Sequence, residues 1–391
     1  MTLVFSSLGH WLMHMLTAVF FVVVLALEGE WQRPYHELIE LWTIGAFLVG
    51  LLALPAGWLA DRWSASGMMV VMFLGLGASC LYCASVDSPP TMLVGLSALG
   101  AFAAIYHPVG IPWIVRNSGA SGKALGVNGI FGGLGMASAG GVTGLLTDAW
   151  GWQAAFAVPG VVAILAGLSL LLCLRMGLIQ EKRQVTEKDL EGDKGEMRRG
   201  VLVLLFTMFT LGFVYQANQV AFPKLFASRI VWVGEGTLGV GLVVSAVYTV
   251  AALMQLVGGH LADHYPLKRV YVSCLLLQPL ILAALAGATG STLLAMTVLA
   301  VMLSTAALPA ENMLLARHSP RRHQSLFFGL KFVLALGTAP VALGFVSRIH
   351  AAGGGFTQVY LALGALAAVA FAASLALPRE HPQSRLTAMS S

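Results

Sequence analysis

The sequence predicts an all-α polytopic membrane protein, with twelve transmembrane helices in two pseudo-symmetric six-helix bundles. Three observations predict it. The 391 residues are 58% hydrophobic and only 10% charged, they divide into twelve apolar runs, and an internal repeat relates the first six runs to the last six. A soluble domain carries about a quarter of its residues as charged side chains, so extracellular disulfide scaffolds, disordered tails and soluble Rossmann or barrel enzymes are excluded. Forty-four glycines agree, because glycine lets transmembrane helix backbones approach closely. The net charge of +5 does not mark a nucleic-acid partner, since the basic residues are scattered between apolar runs rather than gathered on one surface. The bilayer is the expected surroundings.

A span needs about 20 mostly apolar residues. Helix 1 covers 4 to 27; it is not a cleaved signal peptide, having no Lys or Arg before Arg33 and being interrupted by His10 and His14. Helices 2 to 6 cover 36 to 60, 67 to 86, 91 to 115, 124 to 146 and 153 to 176. Cys80 and Cys83 fall inside helix 3, where a redox or zinc motif would lack its loop, so they read as packing residues. The glycines from Gly126 to Gly144 give helix 5 the small-residue spacing of a close helix contact; no Gly-Lys-Ser/Thr phosphate loop follows a strand. A polar stretch of mixed charge, 177–199, then separates an N-terminal bundle, 1–176, from a C-terminal bundle, 200–391. Helices 7 to 12 cover 200 to 222, 235 to 259, 270 to 288, 291 to 316, 325 to 346 and 355 to 377. Lys and Arg collect on the cytoplasmic side of a membrane. With the N-terminus inside, 17 of the 22 fall there, against Arg33, Lys224, Arg229 and Arg348 outside and Lys331 within helix 11. Both termini are therefore expected in the cytoplasm, with the protein in the cell (inner) membrane as a monomer.

The repeat has an offset of about 202 residues. Gly57-Trp58-Leu59-Ala60-Asp61 ends helix 2, and Gly259-His260-Leu261-Ala262-Asp263 ends helix 8. Ala103-Ala104-Ile105 matches Ala306-Ala307-Leu308, Arg116 matches Arg317, and Gly126-Val127-Asn128 matches Gly329-Leu330-Lys331. Gly57 to Arg62 resembles the signature between helices 2 and 3 of the major facilitator superfamily, whose fold is two parallel six-helix halves with a substrate site near the midplane between them. In that motif Gly57 would pack against helix 11, Asp61 would accept hydrogen bonds at a helix N-terminus, and Arg62 would pair with a carboxylate in the outward-open state. Asp61 and Asp263 otherwise read as helix-end caps; their recurrence at the repeat offset favours gating, with Gly57, Arg62, Gly259 and Arg116 as the rest of the gate. The family's further basic residues are absent, Trp63-Ser64-Ala65-Ser66-Gly67-Met68 standing in their place.

A narrower resemblance, to the fosmidomycin-resistance-type branch, rests on Ser7-Leu8-Gly9-His10, Tyr106-His107-Pro108, Gly126-Val127-Asn128-Gly129, Phe131-Gly132-Gly133-Leu134-Gly135 and Gly151-Trp152-Gln153-Ala154-Ala155-Phe156. It implies a proton-driven exporter of small organic molecules. Where members often carry an acidic residue in helix 1, this chain has His14.

Ionisable groups inside a span are costly and mark functional sites by default. Those within spans are His10, His14, His107, Glu311 and Lys331, with Glu40 and Arg116 near helix ends. His10 and His14 share a helix face, and at about 1.5 Å per residue His14 lies roughly 15 Å deep, near the midplane. Each histidine reads as a substrate or proton site or as an imidazole bonded to a neighbouring helix. Pro108 predicts a kink that turns His107 toward a cavity. Glu311 and Lys331 lie at one depth, about 8 to 9 Å, on adjacent helices. An unpaired charge there would be strongly penalised, so they are expected to form a buried ion pair, with Glu311 as the protonation site and Lys331 its partner or an anion-binding group; a purely structural pair is the alternative. Helix 7 offers Tyr215, Gln216, Asn218 and Gln219, expected to face His14 across the pseudo-two-fold axis and bind a polar ligand, lined further by Tyr248, Gln255 and Trp42.

These residues support a secondary transporter, proton-coupled and exporting a small organic compound or drug, with no enzymatic activity and no cofactor. A second reading is a transition-metal or metal-chelate transporter, since His10, Met13, His14, Met15 and His107 offer nitrogen and thioether ligands. A third, a membrane receptor or scaffold, is opposed by the short loops, which leave only 177–199 as surface for a partner.

Overall fold

The computed structural model of the protein describes residues 1–118, 122–179, 194–233, 236–319 and 324–378. Among these the regular structure is helical throughout, and eleven helices, or twelve with one bent pair, are long and apolar enough to cross a membrane. The twelve expected spans are all present. Helix 1 is Thr2–Glu30, helix 3 Ala65–Ala84, helix 5 Gly122–Trp150, helix 6 Trp152–Arg175, helix 7 Lys194–Arg229, helix 8 Thr237–His264, helix 10 Gly290–His318 and helix 12 Gly355–Leu375. Most of the 177–199 stretch lies outside the described residues.

The other four spans are interrupted, each just ahead of a proline. Helix 2 breaks between its Tyr35–Leu51 stretch and Ala53–Arg62, bending by 42°, ahead of Pro55. Helix 4 is split into Pro89–Ala103 and Tyr106–Ser118 ahead of Pro108, helix 9 into Leu267–Leu276 and Gln278–Leu285 ahead of Pro279, and helix 11 into Gln324–Gly337 and Ala339–Ala351 ahead of Pro340. A proline ring collides with the carbonyl four residues earlier and supplies no N–H, so the helix gives way in that turn. The expected kink at Pro108 takes this form, and it places Tyr106 and His107 at the head of a new helical segment.

The two halves are tied together on the face away from the chain ends. Lys224 of helix 7 pairs with Glu28 of helix 1 at 2.6 Å, and Tyr35 donates to the Val220 carbonyl at 2.8 Å. Ser347 Oγ of helix 11 lies within hydrogen-bond reach of both the Glu40 carboxylate and the His36 carbonyl, with one hydrogen to donate. Asp148, at the end of helix 5 on this face, caps helix 8 by accepting from Thr237 N at 2.9 Å, Thr237 Oγ1 at 2.7 Å and Leu238 N at 2.8 Å. The first-turn N–H groups of helix 8 have no intrahelical acceptor, so a carboxylate there satisfies both bonding and dipole. Below it the glycine series of helix 5 lies on helix 8, where a Cβ on Gly144 would come within 2.6 Å of Leu238 Cα and one on Gly133 within 2.7 Å of Ala252 Cβ.

Helix 2 meets helix 11 at a second close approach, where a Cβ on Gly50 would lie 3.1 Å from Gly337 Cα. Gly50→Val is expected to force these backbones apart at about 1–3 kcal/mol, and a lowered melting temperature of the detergent-solubilised protein would report it. Beyond the break, Ala53–Arg62 leaves helix 11 and packs on helices 3 and 4.

Candidate functional site

Two buried polar clusters lie within the spans, one in each half. In the N-terminal half the break before Pro108 and the face shared by positions 10 and 14 bring three histidines together. His10 and His14 have ring centroids 5.0 Å apart, His10 and His107 5.5 Å, and His14 and His107 5.4 Å. One nitrogen from each lies within 4.8 Å of the others. His10 and His107 are buried and His14 is half-buried. His10 Nδ1 lies 2.8 Å from the Asn128 backbone carbonyl and 3.1 Å from its Oδ1. A carbonyl only accepts, so Nδ1 carries the hydrogen and Nε2 keeps its lone pair.

Tyr106 stacks on His10 at 4.6 Å and accepts from Asn128 Nδ2 at 2.8 Å, while Ser6 donates to the Gly110 carbonyl at 2.9 Å. Helix 5 supports the cluster with glycines: a Cβ on Gly132 would meet the His10 ring at 2.5 Å, and one on Gly135 would meet His14 Cβ at 3.0 Å. His107 Nδ1 is buried with no hydrogen-bond partner among the described residues. Its ring stacks on Phe332 of helix 11 at 4.7 Å and 16°, so the cluster touches the C-terminal half one residue from Lys331.

In the C-terminal half Lys331 Nζ lies 2.8 Å from Glu311 Oε1 and donates to Asn312. The Glu311 and Lys331 side chains are only 5% and 9% exposed, which makes this a desolvated pair rather than a surface one. Tyr271, which reaches Glu311, belongs to a buried apolar cluster that includes Leu204, Met208, Ala307, Ala310 and Leu314. Tyr271 of helix 9 has its hydroxyl 3.1 Å from Glu311 Oε2 and 2.9 Å from Thr207 Oγ1, and Thr207 donates to the Leu204 carbonyl at 3.0 Å. Tyr271 has one hydrogen for two acceptors. A proton on Glu311 Oε2 resolves the shortage, because Glu311 then donates to Tyr271, Tyr271 to Thr207 and Thr207 to Leu204. With Glu311 ionised, Tyr271 turns its hydrogen to the carboxylate and Thr207 loses a donor. The network has a complete hydrogen-bond pattern for the protonated acid and a strong one, with Lys331, for the carboxylate.

The remaining sequence-derived candidates are placed differently. Gln216 donates to the Ala335 carbonyl at 3.4 Å and Gln219 reaches Met136 Sδ at 3.6 Å, so each braces helix 7 against another helix. Tyr215 is 37% exposed. No hydrogen bond or ring contact among the described residues joins Tyr215, Gln216 or Gln219 to the histidines. Tyr248 is buried with no partner for its hydroxyl among the described residues, Gln255 reaches toward Gly129 across the halves, and Trp42 lies in the core, edge-on to Phe21 at 6.5 Å. Cys80 and Cys83 are buried free thiols among packed helices.

The gate motif also needs correction. Gly57 packs not on helix 11 but on helix 4, a Cβ there falling 3.2 Å from Pro108 Cβ, because the bend carries this end of helix 2 away from helix 11. In the second copy Gly259 faces open space and Gly258 makes the equivalent contact, with Ala306 of helix 10. Gly57→Leu is therefore expected to disturb Pro108 and the adjacent His107, whereas Gly259→Leu leaves stability unchanged; melting temperatures of the two variants test the difference. Asp61, Arg62 and Asp263 are exposed, and the Arg62 guanidinium sits over the Trp58 ring at 4.1 Å. The Arg116 side chain lies outside the described residues.

Tyr106, Asn128, Thr207, Tyr271, Asn312 and Phe332 take part in these clusters without having been singled out as site residues. A signal for Asn128 was present: it is the repeat counterpart of Lys331, and both reach from the start of helix 5 or 11 into the polar cluster of their own half.

A family model described as Major Facilitator Superfamily matches residues 6–234 and 230–390. Crystal structures of a bacterial homolog to the human lysosomal transporter Spinster, inward-facing, align with 97% of this chain and 98% of theirs. The unoccupied form gives a TM-score of 0.75 and the occupied form 0.76, each at 17% sequence identity, a likeness of fold. No curated protein matches the chain.

Proposed function

The chain belongs to the major facilitator superfamily, and from that premise we propose that it is a proton-coupled exporter of a small organic compound, working by alternating access. The superfamily is one of transporters, not enzymes. The observation that carries proton coupling is the Glu311 network, which has a satisfied arrangement with and without a proton on Oε2. Glu311 takes the proton, Lys331 holds the carboxylate when it leaves, and Tyr271 and Thr207 reorient their hydroxyls between the two states. His10, His14 and His107 form the cargo-facing cluster, with Tyr215, Gln216 and Gln219 as more distant contributors. Asp61, Arg62, Arg116 and Asp263, with Gly57 and Gly259 at the ends of helices 2 and 8, act in the gate. The distribution of Lys and Arg supports cytoplasmic placement of both termini, and the reading takes the protein as a monomer in the inner membrane. In that orientation the halves are sealed on the outer side, the arrangement of a carrier open to the cytoplasm.

Reconstituted protein tests the reading. With pyranine inside proteoliposomes carrying a pH gradient, an exported compound is expected to produce compound-dependent proton movement. Protein that exchanges a compound across the membrane with no accompanying proton flux would overturn proton coupling.

A second reading, transport of a transition metal or its chelate, is favoured by one observation, the convergence of three imidazoles with no acidic residue in the group.

A further inference from the structure

We infer that His10, His14 and His107 form a binding site for a divalent first-row transition-metal ion, taken as substrate, with a fourth coordination position left for an anion that arrives with it. This deepens the second functional reading and uses no residue of the Glu311–Lys331 pair.

Four features support it. The three donor nitrogens already lie within 4.8 Å of one another, and tetrahedral coordination at about 2.0–2.1 Å would bring them to roughly 3.4 Å, a closure that side-chain rotation can supply. His10 donates Nδ1–H to a backbone carbonyl, the outer contact that fixes tautomer and orientation in metal-ligating histidines and leaves Nε2 as the ligand atom. His107 Nδ1 is buried without a partner among the described residues, in a residue only 8% exposed; a buried ring nitrogen left unbonded is costly, and metal binding engages this ring. The ligands come from two helices joined by the Tyr106–Asn128–His10 contacts, so the cluster is preorganised.

The donor set selects the ion. Imidazoles suit copper, nickel and zinc, while magnesium and calcium require oxygen ligands. Three uncharged ligands leave the ion's double charge uncompensated in an apolar surrounding, so the remaining position favours an anion such as chloride, hydroxide or the carboxylate of a chelator.

Purified full-length protein, with any polyhistidine tag removed, is titrated with CuCl2, NiCl2, ZnCl2 and MgCl2 by calorimetry. One equivalent of metal is expected, tightest for copper as the general order of divalent affinities requires, with no heat from magnesium. His14→Ala and His107→Gln are expected to weaken binding about 100-fold or more, the loss typical when one of few ligands goes. Electron paramagnetic resonance of the copper-loaded wild type is expected to show splitting from three nitrogens, which reads the site even if a variant folds poorly. Surface pairs could mimic binding, since the His260 and His264 rings are 4.1 Å apart; His260→Ala with His264→Ala is expected to leave the stoichiometry unchanged. Undiminished binding in His14→Ala and His107→Gln, or loss in the surface variant alone, would overturn the inference. Glu311→Gln is expected to bind metal like wild type. Metal binding without compound-dependent proton flux would therefore sink the leading reading and spare this one, and the reverse result would do the opposite.

Discussion

Glu311→Gln is expected to lower pH-gradient-driven transport by about two orders of magnitude while leaving exchange of cargo across the membrane intact. Glutamine keeps the shape, its oxygen accepting from Lys331 and its Nε2 donating to Tyr271 as the protonated acid would, but it cannot lose a proton, so the two arrangements of the network collapse into one. Lys331→Met is expected to behave differently. It strands a Glu311 side chain that is only 5% exposed, and removing one partner of a buried pair costs about 3–5 kcal/mol. The double variant Glu311→Gln with Lys331→Met buries no charge and is expected to recover most of that stability. Thermal melts of the four proteins make the cycle, and gradient-driven against gradient-free uptake separates coupling from folding. Glu311→Gln with undiminished gradient-driven uptake would remove the coupling role.

The second large effect concerns the seal on the face away from the chain ends. Gly241→Leu is expected to abolish transport of both kinds, gradient-driven and exchange, because its side chain would fall on the Gly140 carbonyl and the Gly141 backbone of helix 5. Nothing flexible stands there to move aside, so the ends of helices 5 and 8 on that face cannot close. Spin labels at those ends, in a background with the native cysteines replaced, should report a longer distance than in the unmodified seal. Asp148→Ala weakens the same seal more gently, by removing the cap from Thr237 and Leu238, and is expected to broaden that distance distribution rather than shift it. An unchanged distance in Gly241→Leu would show that the contact is not required for closure.

The fold was legible because the bilayer leaves few choices. Runs of about 20 apolar residues must become helices, and the prolines that interrupt helices 2, 4, 9 and 11 are visible in the chain. The Glu311–Lys331 contact could also be anticipated, since charge opposition at one depth on neighbouring helices admits few other outcomes. What the sequence did not disclose were choices among helix faces. Depth follows from counting residues along a span, but rotation about the helix axis is fixed by packing against neighbours. Hence Gln216 and Gln219 share helix 7 with Tyr215 yet meet different helices, 11 and 5. Gly57 was misassigned for a related reason: the 42° bend redirects the end of helix 2, and a count along a straight helix cannot show where a bent one arrives. Asn128 and Tyr106 entered only as motif residues, not as site residues, because an uncharged side chain carries little penalty that would single it out, although their bonds organise the histidine cluster.

The division of charge between the halves has an electrical consequence. Glu311 and Lys331 sum to zero while the carboxylate is ionised, so in the proposed cycle a carrier in that state, with its imidazoles neutral and no metal ion bound, is expected to move no net charge at these depths as it rocks. Protonation of Glu311 leaves the ammonium of Lys331 uncompensated, and a full charge crossing the membrane is worth about 2.3 kcal/mol per 100 mV. With no metal ion on the histidines, the membrane potential is therefore expected to act on the protonated carrier and barely on the deprotonated one, through the C-terminal half. A current recorded during turnover would carry the signature of Lys331.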